Sequence, residues 1–189
     1  MMIAVPFKND FYSYIIPPNK EEVINHCWKS KITEDQTFGW GSNCISKKEK
    51  LDPQGFEDIL LPSLRILFSE IYLDECDFSI ENIWKNTYRE GFYQEIHSHI
   101  PCDLSCVIFL NDYDSDSSKF YFYNERGRTT PSKLKSLCSD NRHYMHDSWI
   151  MKPEKGSIIF FPSHMLHGVT PHRSKKSRTT VALNFILNN

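Results

Sequence analysis

The stretch YQEIHSHIPCDLSCVIFLND, residues 93–112, decides how this sequence is read. Its two histidines, His97 and His99, stand one residue apart in an apolar, β-prone segment, where a solvated imidazole pair does not belong. Successive side chains of a strand point to opposite faces, so the pair projects to one side, with backbone attachment points about 6.6 Å apart. Two imidazoles so placed converge on one ion. Paired, exposed histidines on a half-polar strand are the plain alternative, and the rest of the chain has to choose between them.

Outward from this stretch, the sequence from about residue 77 breaks into short β-branched and aromatic runs separated by Asp, Asn, Pro and Gly. FSIENIWKNTYR, FYQEIHSH, LSCVIFLN, KFYFYN, SWIM, GSIIFFP and RTTVALNFIL read as seven strands. The first third reads as helical, with a strand or two before it. NKEEVINHCW places Asn19 three residues before Glu22, the pattern of a capping box, and predicts a helix near 19–29. From Phe56 to Ile71 apolar residues recur at three- and four-residue steps, which predicts an amphipathic helix despite Pro62. The expected fold is mainly β with flanking helices (α+β). It is a jelly roll, or double-stranded β-helix of the cupin-like kind, with N-terminal helices buttressing one sheet. One domain spans 1–189: N-terminal strands and supporting helices in 1–76, the jelly-roll core in 77–189.

With 189 residues, 40% apolar and 24% charged, the chain has the make-up of an ordered, soluble protein that buries a real core. A net charge of −2 supplies no field to recruit nucleic acid or an anionic membrane, so neither is an expected partner. The six cysteines form no CxxC pair, and the start MMIAVPFKND lacks the basic stretch and apolar core of a secretory signal. Reduced thiols in a cytoplasmic protein are expected. No run approaches the ~20 apolar residues of a membrane span.

A third histidine gives the pair its context. In GSIIFFPSHMLHGVTP, residues 156–171, Gly156 opens an apolar strand, Pro162 ends it, and His167 follows in the expected turn. A ligand from a separate strand facing a His-x-His pair places three protein ligands on one face of a metal and leaves the other positions free. GFYQEIHSHIPCDLSCVIFLND, GSIIFFPSHMLHGV and SRTTVALNF together resemble the iron- and 2-oxoglutarate-dependent oxygenases over about residues 80–187. More narrowly, they are similar to a bacterial and phage branch with a His-x-His pair, akin to prolyl hydroxylases. The resemblance implies His97, His99 and His167 as ligands of Fe(II), and Arg178 with Thr180 as the holder of the distal carboxylate of 2-oxoglutarate. It also implies dioxygen as co-reactant and a primary substrate, small molecule or protein side chain, that the sequence does not identify. Asn86, Tyr88 and Gln94 precede the pair and line the expected cavity. In related sequences a Tyr near Tyr88 touches the cosubstrate.

One departure stands out: the family's second ligand is usually a carboxylate, and here His99 takes its place. Glu95 and Asp103 are the nearby carboxylates that could substitute as ligand or orient an imidazole. The same letters also resemble the two cupin motifs, through Gly91, Asp103, Gly156, Pro162 and His167. Three-histidine cupins include dioxygenases and metalloisomerases that use no 2-oxoglutarate, and a non-catalytic jelly-roll binding module is a third alternative. Arg178 separates the readings. It either closes the basic turn HRSKKSR as a solvated charge, or points inward with Thr180, in which case it requires an anion. His143, His146 and Asp147, in the long 125–147 segment, either hold substrate or decorate a loop, with the loop favoured, and the acidic stretch NDYDSDSS reads as a loop; between them they make residues 111–148 a lid or a plain connection.

Overall fold

A computed structural model describes residues 2–4, 11–39, 45–71, 76–124 and 148–188. The elements in order are β1 (Met2–Ala4), β2 (Tyr12–Ile15), α1 (Lys20–Lys29), β3 (Ile32–Gly39), β4 (Ile45–Leu51), α2 (Phe56–Glu70), β5 (Asp77–Tyr88) and β6 (Gln94–His97). They continue with β7 (Leu104–Phe109), β8 (Phe120–Tyr123), β9 (Ser148–Ile150), β10 (Ile158–Pro162), β11 (His167–Val169) and β12 (Arg178–Asn188). All pairings are antiparallel. The large sheet runs β1-β2-β10-β7-β12-β5-β4-β3 and the small one β6-β11-β8-β9.

The large sheet is covered on both sides at its centre, which is why β7 is buried along its whole length and β12 over its first eight residues. Period two divides each strand between two cores. Leu104, Cys106, Ile108, Val181, Leu183 and Phe185 meet Val23 and Cys27 of α1 and Phe56, Leu60, Leu64 and Leu67 of α2. Val107, Phe109, Ile159, Phe161 and Ala182 face the other way and meet Phe120 and Phe122 of the small sheet. The helices thus buttress the large sheet, and the space between the sheets is left for the site.

Both predicted helices form, with one correction. Asn19 is the N-cap residue of α1, but its side chain makes no capping bond. Instead its Nδ2 donates to the Ile59 carbonyl at 3.0 Å, tying α1 to α2. A contact forty residues away in sequence outcompetes the local one. α2 starts after Gly55, whose φ of 79° suits a residue without Cβ, and a Cβ there would meet His26 Cε1 at 2.9 Å.

The seven strands expected after residue 77 all form. The N-terminal third holds more strand than its sequence suggests, because β3 and β4 pair as a hairpin and β4 joins β5. ITEDQTFG, the outermost strand, and ISKKEKL beside it are rich in charge rather than in β-branched runs, and the acidic pair Glu34 and Asp35 suits an edge, where charge discourages further pairing. His167 is a second difference: it opens β11 and pairs with His97 of β6 rather than lying in a turn. The 125–147 segment, with His143, His146 and Asp147, lies outside the described residues.

Candidate metal and cosubstrate site

His97, His99 and His167 come together at the mouth of the small sheet, each offering a ring nitrogen within 4.8 Å of the others. Their ring centroids are 5.0, 4.3 and 4.9 Å apart for the pairs 97–99, 97–167 and 99–167. Strand parity alone does not achieve this. β6 ends at His97, and His99 stands beyond it, anchored by its N–H to the Ser163 carbonyl at 2.8 Å as the chain crosses from one sheet to the other.

Each ring is held by its Nδ1. His97 Nδ1 donates to the Glu95 carbonyl at 2.8 Å, His167 Nδ1 to the Met165 carbonyl at 2.8 Å, and His99 Nδ1 to Asn184 Oδ1 at 2.6 Å. A carbonyl oxygen only accepts, so each Nδ1 carries the proton and each Nε2 keeps its lone pair, the tautomer that a metal requires. Burial pushes all three pKa values down: His97 below its usual value, His99 to about 4, and His167 well below the normal range, where neighbouring His97 and His99 add to the effect. The cluster is three neutral bases, ready for a cation without first shedding protons.

Beneath His99 lies a polar chain. Asn184 Oδ1 also accepts from Ser105 Oγ at 2.8 Å, and Ser105 Oγ meets Ser163 Oγ at 2.7 Å. Neither Asn184 nor Tyr113 was expected from sequence. Asn184 was findable, because Arg178, Thr180, Ala182 and Asn184 fall at steps of two along β12, one face of a strand. Glu95 and Asp103, by contrast, supply no ligand atom to the cluster. Glu95 contributes its main-chain carbonyl, and the Asp103 carboxylate accepts the Leu187 N–H at 2.9 Å.

Arg178 answers the question that the sequence left open. It is 2% exposed and points inward, so the solvated-turn alternative is set aside. Its guanidinium lies 5.0, 5.6 and 5.4 Å from the rings of Tyr88, Phe109 and Tyr113, and its Nε donates to Tyr113 Oη at 3.0 Å. Both terminal nitrogens are buried and have no hydrogen-bond partner among the described residues. Tyr113 arrives from the acidic loop, which is tied down: Asp114 accepts from Ser117 and Ser174, and Asp116 from the amides of Arg173 and Ser174. Residues 114–117 are thus held against residues 173–174, and Tyr113 beside them touches Arg178.

One inner cavity joins the two halves, bounded by His97, His99 and His167 at one end and by Arg178 and Thr180 at the other, with Asn86, Tyr88 and Gln94 along its side. The predicted ligands His97, His99 and His167 and the predicted cosubstrate residues Asn86, Tyr88, Arg178 and Thr180 thus line one cavity. Above the histidines opens a cleft of about 660 Å³, where Lys48 Nζ sits 4.2 Å over the Trp84 ring. The residues fit the groups that the resemblance implies: three converging lone pairs suit a divalent metal, and two orphaned guanidinium N–H groups suit a carboxylate. A buried cation with unmade bonds is costly unless an anion completes it.

Comparison with known proteins agrees with this geometry. A family model described as "Putative 2OG-Fe(II) oxygenase" matches residues 82–184. No curated protein sequence matches the chain. Among solved structures it resembles the non-heme alpha ketoglutarate dependent epimerase SnoN from nogalamycin biosynthesis, at 11% identity and a TM-score of 0.63, over 95% of this chain and 77% of that one. It also resembles a Pseudomonas putida prolyl-4-hydroxylase, at 15% identity and a TM-score of 0.56, over 95% of this chain and 94% of that one. For the viral collagen prolyl hydroxylase of Paramecium Bursaria Chlorella virus-1 the values are 13% and 0.55, over 94% and 97%. At these identities the likeness is one of fold. The family match covers more than half of the chain, and the chain belongs to the 2OG-Fe(II) oxygenases, jelly-roll proteins whose cofactors are iron and 2-oxoglutarate.

Proposed function

We propose that the protein is a non-haem Fe(II)- and 2-oxoglutarate-dependent dioxygenase that hydroxylates a primary substrate, either a small molecule or a protein side chain, while 2-oxoglutarate is decarboxylated to succinate. In that reaction one oxygen atom of O2 enters the substrate, the other enters succinate, and CO2 leaves. The observation that carries the reading is Arg178, whose two buried, unpartnered amino groups face a cavity with three convergent imidazoles at its other end. A three-histidine cupin that makes no use of 2-oxoglutarate gives such an arginine nothing to bind.

His97, His99 and His167 hold the metal in this reading, and the iron supplies the activation of dioxygen when bound. Arg178 takes the distal carboxylate of 2-oxoglutarate in a charge-assisted pair, Thr180 adds a hydroxyl on the same strand face, and Tyr88 and Asn86 line the cosubstrate. Asn184 and the Met165 and Glu95 carbonyls fix the rings, so the lone pairs need little reorganisation. Val107, Phe120, Val169 and Ala182 form the apolar walls that keep water from the reacting centre. The outer cleft admits the primary substrate from the side of Trp84 and Lys48. With His99 in place of a carboxylate, the protein adds no negative charge to the metal, a difference expected in metal affinity.

The test is succinate formation from 2-oxoglutarate in air by the Fe(II)-loaded protein, alone and with fractionated cell extract. The expected result is slow succinate release that rises with one fraction and is lost in Arg178→Ala. Absence of succinate under every condition, from protein that binds the metal, overturns the proposal.

A further inference from the structure

Gln94 stands where the two voids of the site meet, lining both the inner cavity towards Arg178 and the outer cleft above the histidines. Its hydrogen bonds run in one direction. The Tyr88 hydroxyl lies 2.8 Å from Gln94 Oε1 and donates to it, which turns the amide nitrogen towards His97. That nitrogen is 3.1 Å from His97 Nε2. Because His97 Nδ1 donates to the Glu95 carbonyl, Nε2 is an acceptor. The Gln94 amide therefore donates to the very lone pair that a metal takes.

One lone pair cannot serve both. Once a metal claims it, the Gln94 N–H loses this acceptor in a partly buried setting, where an unmade hydrogen bond is costly. The Tyr88 hydroxyl, meanwhile, still restrains the amide carbonyl. The inner cavity offers the replacement. A 2-oxo acid with its far carboxylate on Arg178 would point its keto and carboxylate oxygens towards the histidines, and Gln94 lines the same cavity as Arg178 and the three histidines. We infer that Gln94 is a cosubstrate-binding residue with two successive partners: it caps His97 in the metal-free protein and donates to the metal-end oxygens of the 2-oxo acid in the loaded one. The inference rests on the reading of the site as a 2-oxoglutarate site. Its consequence is a coupling, since Gln94 opposes metal binding alone and favours metal together with the 2-oxo acid.

The experiment measures Mn(II) affinity without cosubstrate, from the free-ion electron paramagnetic resonance signal, and then 2-oxoglutarate affinity of the Mn(II)-loaded protein by calorimetry. Gln94→Leu is expected to bind Mn(II) about threefold tighter than wild type, and 2-oxoglutarate about tenfold more weakly. Gln94→Glu keeps the length, lacks the N–H donor and adds charge, so it binds Mn(II) tighter and 2-oxoglutarate at least as weakly. It carries the test should Gln94→Leu fail to fold. Loss of both affinities, the signature of a residue that merely supports His97, overturns the inference, as does unchanged 2-oxoglutarate affinity in the folded variants. Wild-type Mn(II) protein that binds no 2-oxoglutarate at all marks failure of the underlying reading instead, and takes this inference with it.

Discussion

At the scale of single residues, two side chains on one face of β12 divide the labour, and each makes a prediction. Asn184 accepts both from the His99 ring and from Ser105, so Asn184→Leu removes the shared acceptor, leaves the His99 N–H without it and frees the wrong tautomer of His99. Metal affinity is expected to fall about 10- to 100-fold, and stability by about 1–3 kcal/mol, as read by metal titration and by denaturant unfolding. Arg178 works in the opposite sense, because its unmade bonds burden the ligand-free fold. Arg178→Met is expected to match or exceed wild-type stability without ligand, by up to about 2 kcal/mol, while 2-oxoglutarate no longer raises the melting temperature. A marked destabilisation of that variant contradicts the view that the arginine is kept for an anion. The three histidines and Arg178 were legible as letters because order and spacing carried them. Tyr113 was not, since what makes it part of the site is the path of an acidic loop, held by Asp114 and Asp116, and no local pattern encodes that path.

Among the elements, the core strands announced themselves through β-branched and aromatic runs, and both helices through apolar spacing, whereas the β3–β4 hairpin stayed hidden. Its strands lie at one end of the large sheet and are rich in charge, β3 outermost and β4 held by its neighbour β5 rather than by its own composition. That hidden hairpin matters, because Lys48 on β4 brings a cation to the cleft. His97 and His99 converge as their spacing suggests, but a strand end and a chain crossing, not one continuous strand, place His99. The entry to β10 depends on Gly156, at φ 81°, whose N–H donates to the Phe109 carbonyl and where a Cβ would meet Lys20 Cγ at 2.6 Å. Gly156→Ala is expected to cost about 1–3 kcal/mol in denaturant unfolding, with 2-oxoglutarate affinity of the folded protein unchanged. A loss of affinity at unchanged stability runs against this assignment.

For the molecule as a whole, helices on one side of the large sheet and ligands on the other make stability and chemistry separable. Leu64, buried between α2 and the sheet and remote from the histidines in the layering, tests this. Leu64→Ala is expected to lose about 2–5 kcal/mol yet keep the metal affinity of its folded fraction; parallel loss of both shows that the helical layer sets the geometry of the site. The site itself acts as a clamp between sheets, with β12 of the large sheet supplying Arg178 and Asn184, and β6 and β11 of the small one supplying His97 and His167. Saturating ligand therefore stabilises the whole fold, by about 2.7 kcal/mol at a hundred times the dissociation constant. In the proposed site one cavity holds iron through three histidines and 2-oxoglutarate through Arg178. The most direct test is an anaerobic titration of the metal-free protein with Fe(II) and then 2-oxoglutarate, followed through the weak visible charge-transfer band of a chelated 2-oxo acid. The band is expected in wild type and absent in both His97→Ala and Arg178→Ala, with Fe(II) still bound by the latter; Fe(II) binding by wild type with no band contradicts the account.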